Sequence, residues 1–175
     1  MPKNVVQETI KISKKYNANE RRAIASEVIR YLEKRASRGH GVNDRPWKSQ
    51  AARSYSTSYK QSKDYKIAGK TGKVNVQLSK DMLTAVQLLS HKEGEIKVGI
   101  RMSAPEWARG KGNILGTYGQ KTPIRGKKRQ FLEIGALDKR KFLEKFPTNN
   151  KAAREEATNR VLDALKAAEA IRNTR

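Results

Sequence analysis

The chain has 175 residues, with 39 Lys and Arg against 17 Asp and Glu, a net charge of +22 and a pI of about 10.4. Hydrophobic residues make up 36%, enough for the thin core of a single domain over residues 1–175, and no run approaches the ~18 apolar residues of a membrane span. The absence of cysteine excludes disulfides, thiolate metal sites and cysteine nucleophiles, and the opening MPKNVVQETIK lacks the apolar stretch of a signal peptide.

An N-terminal helical segment is expected over residues 1–41. Val5, Val6, Ile10 and Ile12 suggest a short first helix. Asn17 with Glu20 three residues on reads as a capping box for the next one, whose Ile24, Val28 and Leu32 recur every four residues beside Ala25, Ile29 and Ala36. Gly39 and Gly41 end it.

An α+β core with two basic loops is expected over residues 45–146. From Arg45 to Lys80, nine cations face the single acid Asp64. Ser, Tyr and Gly between them predict a long loop or an arm ordered by a partner, followed by a short strand in VNVQLS. Alternation of Ile96, Val98 and Ile100 after the Glu93-Gly94 turn predicts a hairpin of about residues 83–91 with 95–102, although Met82, Leu83, Val86 and Leu89 also fit a helix face.

Residues 107–129 form the second basic loop, with Arg109, Lys111, Lys121, Arg125, Lys127, Lys128 and Arg129 among five glycines and no acid. A short helical stretch around LDKRKFLEKF stops at Pro147. Thr148 then caps a last helix over 148–173, with Ala157, Val161, Leu165 and Ala168 on one face. The predicted fold is therefore a small antiparallel sheet packed by N- and C-terminal helices, with long basic loops.

Catalytic and metal chemistry find little support. AGKTGK at 68–73 carries the end of a phosphate-binding loop, but Asp64 stands where its first glycine belongs and no apolar strand precedes it. His40 and His91 have no carboxylate or second His at metal spacing, and both are expected to face solvent. Glu93, Glu95, Glu155 and Glu156 sit on expected surface elements, too scattered to hold the Mg²⁺ of a nuclease. Neither enzymatic activity nor a cofactor is expected.

The charge is the stronger signal, since a magnitude of ~2–8 suffices for the solubility of a small domain. The excess repels itself unless a polyanion compensates it, which points to nucleic acid. Lys60, Lys63, Lys70 and Lys73 join the cations of 107–129 as candidate DNA or partner contacts. Aromatic residues stand within or beside both basic blocks. Such residues stack bases or, more often, pin loops to a core, and Trp47, Trp107, Phe131 and Leu132 are the candidate anchors.

The order of segments carries more than any one of them. Pro46-Trp47, Tyr59 with Lys63, Met82-Leu83, Val98-Gly99, Trp107-Ala108 with Gly119, and Arg129-Gln130-Phe131-Leu132 follow one another over roughly residues 45–143. In this order the chain resembles the tail-completion, or virion morphogenesis, proteins of tailed bacteriophages. It departs from their pattern in having Pro123 and Gly135 further from the Arg-x-Phe-Leu motif.

The resemblance implies a non-enzymatic virion protein made in the host cytoplasm. It would form a homo-oligomeric, six-fold ring at the head–tail junction, contacting neighbouring connector and tail proteins, with viral double-stranded DNA passing through the lumen. The competing expectation is a basic nucleic-acid-binding module associated with ribosomes or DNA.

Overall fold

The computed structural model describes residues 5–47, 57–61, 63–67, 81–117, 123 and 128–173. The expected VNVQLS strand lies outside them. Three strands, β1 (Gln7–Lys11), β2 (Gln87–Lys92) and β3 (Glu95–Gly99), form an antiparallel sheet in the order β1-β3-β2. The α+β class expected from the sequence is what the chain adopts.

The first element corrects the sequence reading. Val6, Ile10 and Ile12 are buried at even positions while Lys11 is exposed, the period of a strand rather than a helix. Pairing of Ile10 with Ile96 and Glu8 with Val98 puts the even residues of β1 and β3 on the core side. β2 and β3 make the expected hairpin through Glu93-Gly94, with the left-handed Gly94 (φ 74°) in the turn. Its first strand starts later than expected, because Asp81–Thr84 forms a one-turn helix that buries both Met82 and Leu83. A strand would have sent that adjacent pair to opposite faces.

Helix α1 (Ala18–Ser37) is the hub of the molecule, packing against the sheet, the last helix and the short helix Ala136–Leu143. Its capping box is formed as expected: Asn17 Oδ1 accepts from the Glu20 N–H at 2.9 Å, and Glu20 accepts from the Asn17 N–H at 2.7 Å. At the other end, His40 N–H bonds to Arg35 O and Gly39 N–H to Ala36 O, a Schellman closure.

After α1 come α2 (Thr57–Gln61), α3 (Lys63–Ile67), α4 (Asp81–Thr84), α5 (Glu106–Leu115), α6 (Ala136–Leu143) and α7 (Lys151–Asn173). The expected long loops thus contain helices. The cap of α7 is Asn150 rather than Thr148, since Asn150 Oδ1 accepts from the Ala153 N–H at 3.0 Å.

Buried or half-buried ion pairs tie α1 to the C-terminal half at three levels. Glu20 accepts from Arg154 Nε at 2.9 Å, Glu27 meets Lys145, and Arg35 donates to Asp138 at 2.7 Å. The α1 members are seven and eight residues apart, so they lie close to one face of the helix. Their partners run in descending order, so the C-terminal half passes α1 in the opposite direction.

Candidate nucleic-acid interface

Local propensity argues against helix α5, because Gly110 and Gly112 each cost about 1 kcal/mol relative to Ala. Both glycines face inward. A Cβ on Gly110 would stand 2.8 Å from Val6 Cγ1 and 3.2 Å from Ile100 Cδ1, so its absence lets the helix backbone settle on the end of the sheet. Gly116 at φ 75° closes the helix. Arg109 and Lys111 are therefore helical residues, where a loop was expected.

Both are exposed. The Lys111 ammonium lies 5.1 Å from the centroid of the half-buried Trp107 ring, one turn away on the same helix. Trp107 is thus an anchor on one side and a platform for a cation on the other.

Arg129 requires a correction. Its place in the sequence groups it with the loop cations, yet only 5% of it is exposed. Its Nη1 donates to Asn113 Oδ1 at 3.1 Å and its N–H to Asn113 O at 2.8 Å, while Asn113 Nδ2 donates to Arg109 O at 3.0 Å. Arg129 thereby fastens its segment to α5 and presents no free charge to a phosphate. The preceding Lys128 is exposed.

Beyond Arg129 the chain is clasped to the core. Phe131 and Leu132 are buried, as expected of anchors. Arg35, itself 0% exposed, donates through Nη2 to Phe131 O and Glu133 O, both at 2.8 Å, and through Nη1 to Asp138. Burial lowers the Arg35 pKa, with the Asp138 carboxylate opposing that effect.

Asp138 is saturated: it accepts from Arg35, from Tyr31 Oη at 2.6 Å, and from the N–H groups of Asn43 and Gly135 at 2.7 and 3.0 Å. Burial, followed by the Asp138 hydrogen bond and charge, raises the Tyr31 pKa strongly. Gly135 supplies no side-chain cap to α6, so Asn43 Oδ1 takes that place, accepting from the Leu137 N–H at 3.1 Å. A Cβ on Gly135 would overlap that amide. On the far side, Glu8 Oε1 accepts from the Ile134 N–H at 3.4 Å. Burial raises the pKa of Glu8 despite this bond.

The remaining expected contacts divide in two. Lys60 and Lys63 are exposed on α2 and α3. Lys70, Lys73, Lys121, Arg125 and Lys127 lie outside the described residues. Trp47 is buried, as an anchor should be. The histidines differ from expectation: His40 Nδ1 lies 3.0 Å from Asp44 Oδ1, and His91 is half-buried opposite Ile96. Asp44 also meets Arg38 and Lys141. Burial opposes its charge, but the His40 hydrogen bond and the two cations outweigh it and hold its pKa below the usual range.

Among the described residues no group of acids and histidines could hold a metal ion, and no helix is long and apolar enough to cross a membrane. Exposed cations beside an aromatic ring can bind phosphate oxygens. The buried acids are already fully engaged. Comparison with family models, curated proteins and solved structures finds no match.

Proposed function

We propose that the protein is a structural component of a tailed-bacteriophage virion, a tail-completion or neck subunit. In this reading it assembles into a six-fold ring at the head–tail junction, beside connector and tail proteins, and DNA passes through the lumen. The observation that carries the reading is the fixed root of the second basic segment. Lys128 is exposed one residue before the buried Arg129, and three residues before Phe131, whose carbonyl Arg35 holds at 2.8 Å. A root fixed this way holds the exposed Lys128 where it can meet a passing phosphate. Backbone contacts of that kind position DNA without reading its sequence.

The second reading, a basic nucleic-acid-binding module, is favoured by Trp107 lying beside Lys111 on the outside of α5. Light scattering of nuclease-treated protein, together with an in vitro head–tail joining assay, separates the two. The neck reading expects rings, or assembly dependent on neck partners, and restored joining when the protein is added to defective extracts. A monomer that binds oligonucleotides tightly and leaves joining unchanged overturns it.

A further inference from the structure

The surface between α1 and α7, to which no residue of α5 contributes, is of another kind. A groove of about 530 Å³ runs between α1 and α7. Its floor is Phe146, Pro147, Ala153, Ala157, Val161 and Ala164. Its walls carry three acids, Glu27, Glu144 and Glu156, and three bases, Arg30, Lys145 and Arg160, so its net charge is zero. Most of these charges are already paired: Glu27 with Lys145 and Arg30, and Glu156 with Arg160. Glu144 is exposed, and among the described residues no ion pair engages its carboxylate.

On a chain of +22, a polyanion has no reason to choose this face, whereas another copy of the same chain does. Two such copies repel wherever their cations meet, and a locally neutral, apolar-floored groove is where that repulsion is least.

The complementary element lies at the end of the same helix. From Lys166 to Asn173 every residue of α7 is exposed, and Ile171 is 63% exposed. The stripe of Val161 and Leu165 continues through Ala168 to Ile171, beyond the point where the core ends. Arg172, on the next position, is also exposed and, among the described residues, without an ion pair.

We infer that the groove receives the α7 end of a second copy of this chain, with Ile171 over the alanine floor and Arg172 of one copy against Glu144 of the other. The lengths are compatible: the exposed end spans about 12 Å and fits within the roughly 18 Å of α7 that lines the groove, at 1.5 Å per residue. Groove and end belong to one helix, so two copies with antiparallel α7 helices satisfy both contacts at once about a two-fold axis. This dimer does not rest on the neck reading. It stands if the protein never enters a virion, and the neck reading stands if rings form through other surfaces.

Sedimentation of the nuclease-treated full chain over a concentration series tests it. Self-association should strengthen as salt rises, because the Debye length shortens from ~10 Å at 0.1 M to ~3 Å at 1 M and screens the repulsion. Nucleic-acid binding would move the other way. Ile171→Asp should weaken the dimer about ten- to a hundredfold. Glu144→Arg and Arg172→Glu should each weaken it about three- to tenfold, and the double variant should recover most of that loss.

The chain has no cysteine, so single cysteines report the pairing directly. A mixture of Ala157→Cys and Ala168→Cys proteins should form a disulfide heterodimer on mild oxidation, while Ala108→Cys on α5 should not cross-link with either. Three results would overturn the inference: monomers at every concentration and salt, an oligomer indifferent to Ile171→Asp, or a double charge reversal that adds the two losses instead of cancelling them.

Discussion

Removing the carboxylate of Asp138 should damage the fold more than removing the guanidinium of Arg35, although the two form one ion pair. Both side chains are 0% exposed. In Asp138→Asn, Arg35 keeps its bonds to Phe131 O and Glu133 O but loses its only anionic hydrogen-bond partner among the described residues. Arginine cannot shed its proton, so a buried, uncompensated cation remains. Breaking a buried pair from one side costs about 3–5 kcal/mol. For a chain of this size that is a fall in melting temperature of about 6–20 °C.

Arg35→Met leaves an anion that still accepts from Tyr31 Oη and from the Asn43 and Gly135 N–H groups, and a carboxylate with such donors is tolerable. The loss in Arg35→Met should therefore be the smaller. Urea unfolding of both variants, with slopes compared to confirm an unchanged unfolded state, measures the two losses. Equal losses, or a loss below about 1 kcal/mol in Asp138→Asn, would refute the reasoning, because the desolvated cation would then have found another partner.

Gly110→Ala should destabilise by about 1–3 kcal/mol in thermal or urea unfolding, despite the better helix propensity of Ala, since the new methyl meets Val6 Cγ1 at 2.8 Å. For Glu8, whose folded pKa burial raises above 4.5, the folded state binds more protons between 4.5 and the raised value, so stability falls as pH rises through that window. Glu8→Gln should remove this fall, being the more stable protein at neutral pH and converging with the parent below the ordinary glutamate pKa; unfolding curves across the pH range check it. Lys128→Gln should change stability by no more than about 0.5 kcal/mol and, if Lys128 meets one phosphate, reduce the slope of log K against log salt on duplex DNA by about 0.9. Arg129→Gln should instead cost about 1–3 kcal/mol, because it removes the buried hydrogen bond from Nη1 to Asn113 Oδ1.

Features governed by neighbouring residues were legible in the sequence. The capping box of Asn17 and Glu20, the stripe of Ile24, Val28 and Leu32, and the Glu93-Gly94 hairpin turn all depend on spacings of two to four residues. What was missed depends on distant partners. β1 is five residues long, too short for its alternation to outvote a helical reading, and its partner β3 begins 84 residues further on. The glycines of α5 resemble loop residues until Val6 and Ile100 are placed against them. Arg129 resembled its neighbours in a run of cations, and only Asn113 distinguishes it. One signal was available: Arg35 stands three residues after Leu32, on the flank of an apolar stripe, where a charge must find a buried acid.

The same interior pairs shape the surface charge. Glu20, Glu27 and Asp138 are buried, and each is neutralised by a basic partner that ties α1 to the C-terminal half. Asp44 and Glu95 are engaged by cations of their own. A pair of this kind cancels locally and adds nothing to the distant field. The field of +22 therefore arises elsewhere, from cations such as Lys60, Lys63, Lys111 and Lys128 that are exposed to solvent. Around the α1–α7 groove the lining charges balance instead, three acids against three bases. The fold thus separates a face suited to phosphate from a face suited to protein, and the two should respond to salt in opposite directions. Were the acids spread evenly over the surface, neither face would discriminate and both responses would flatten.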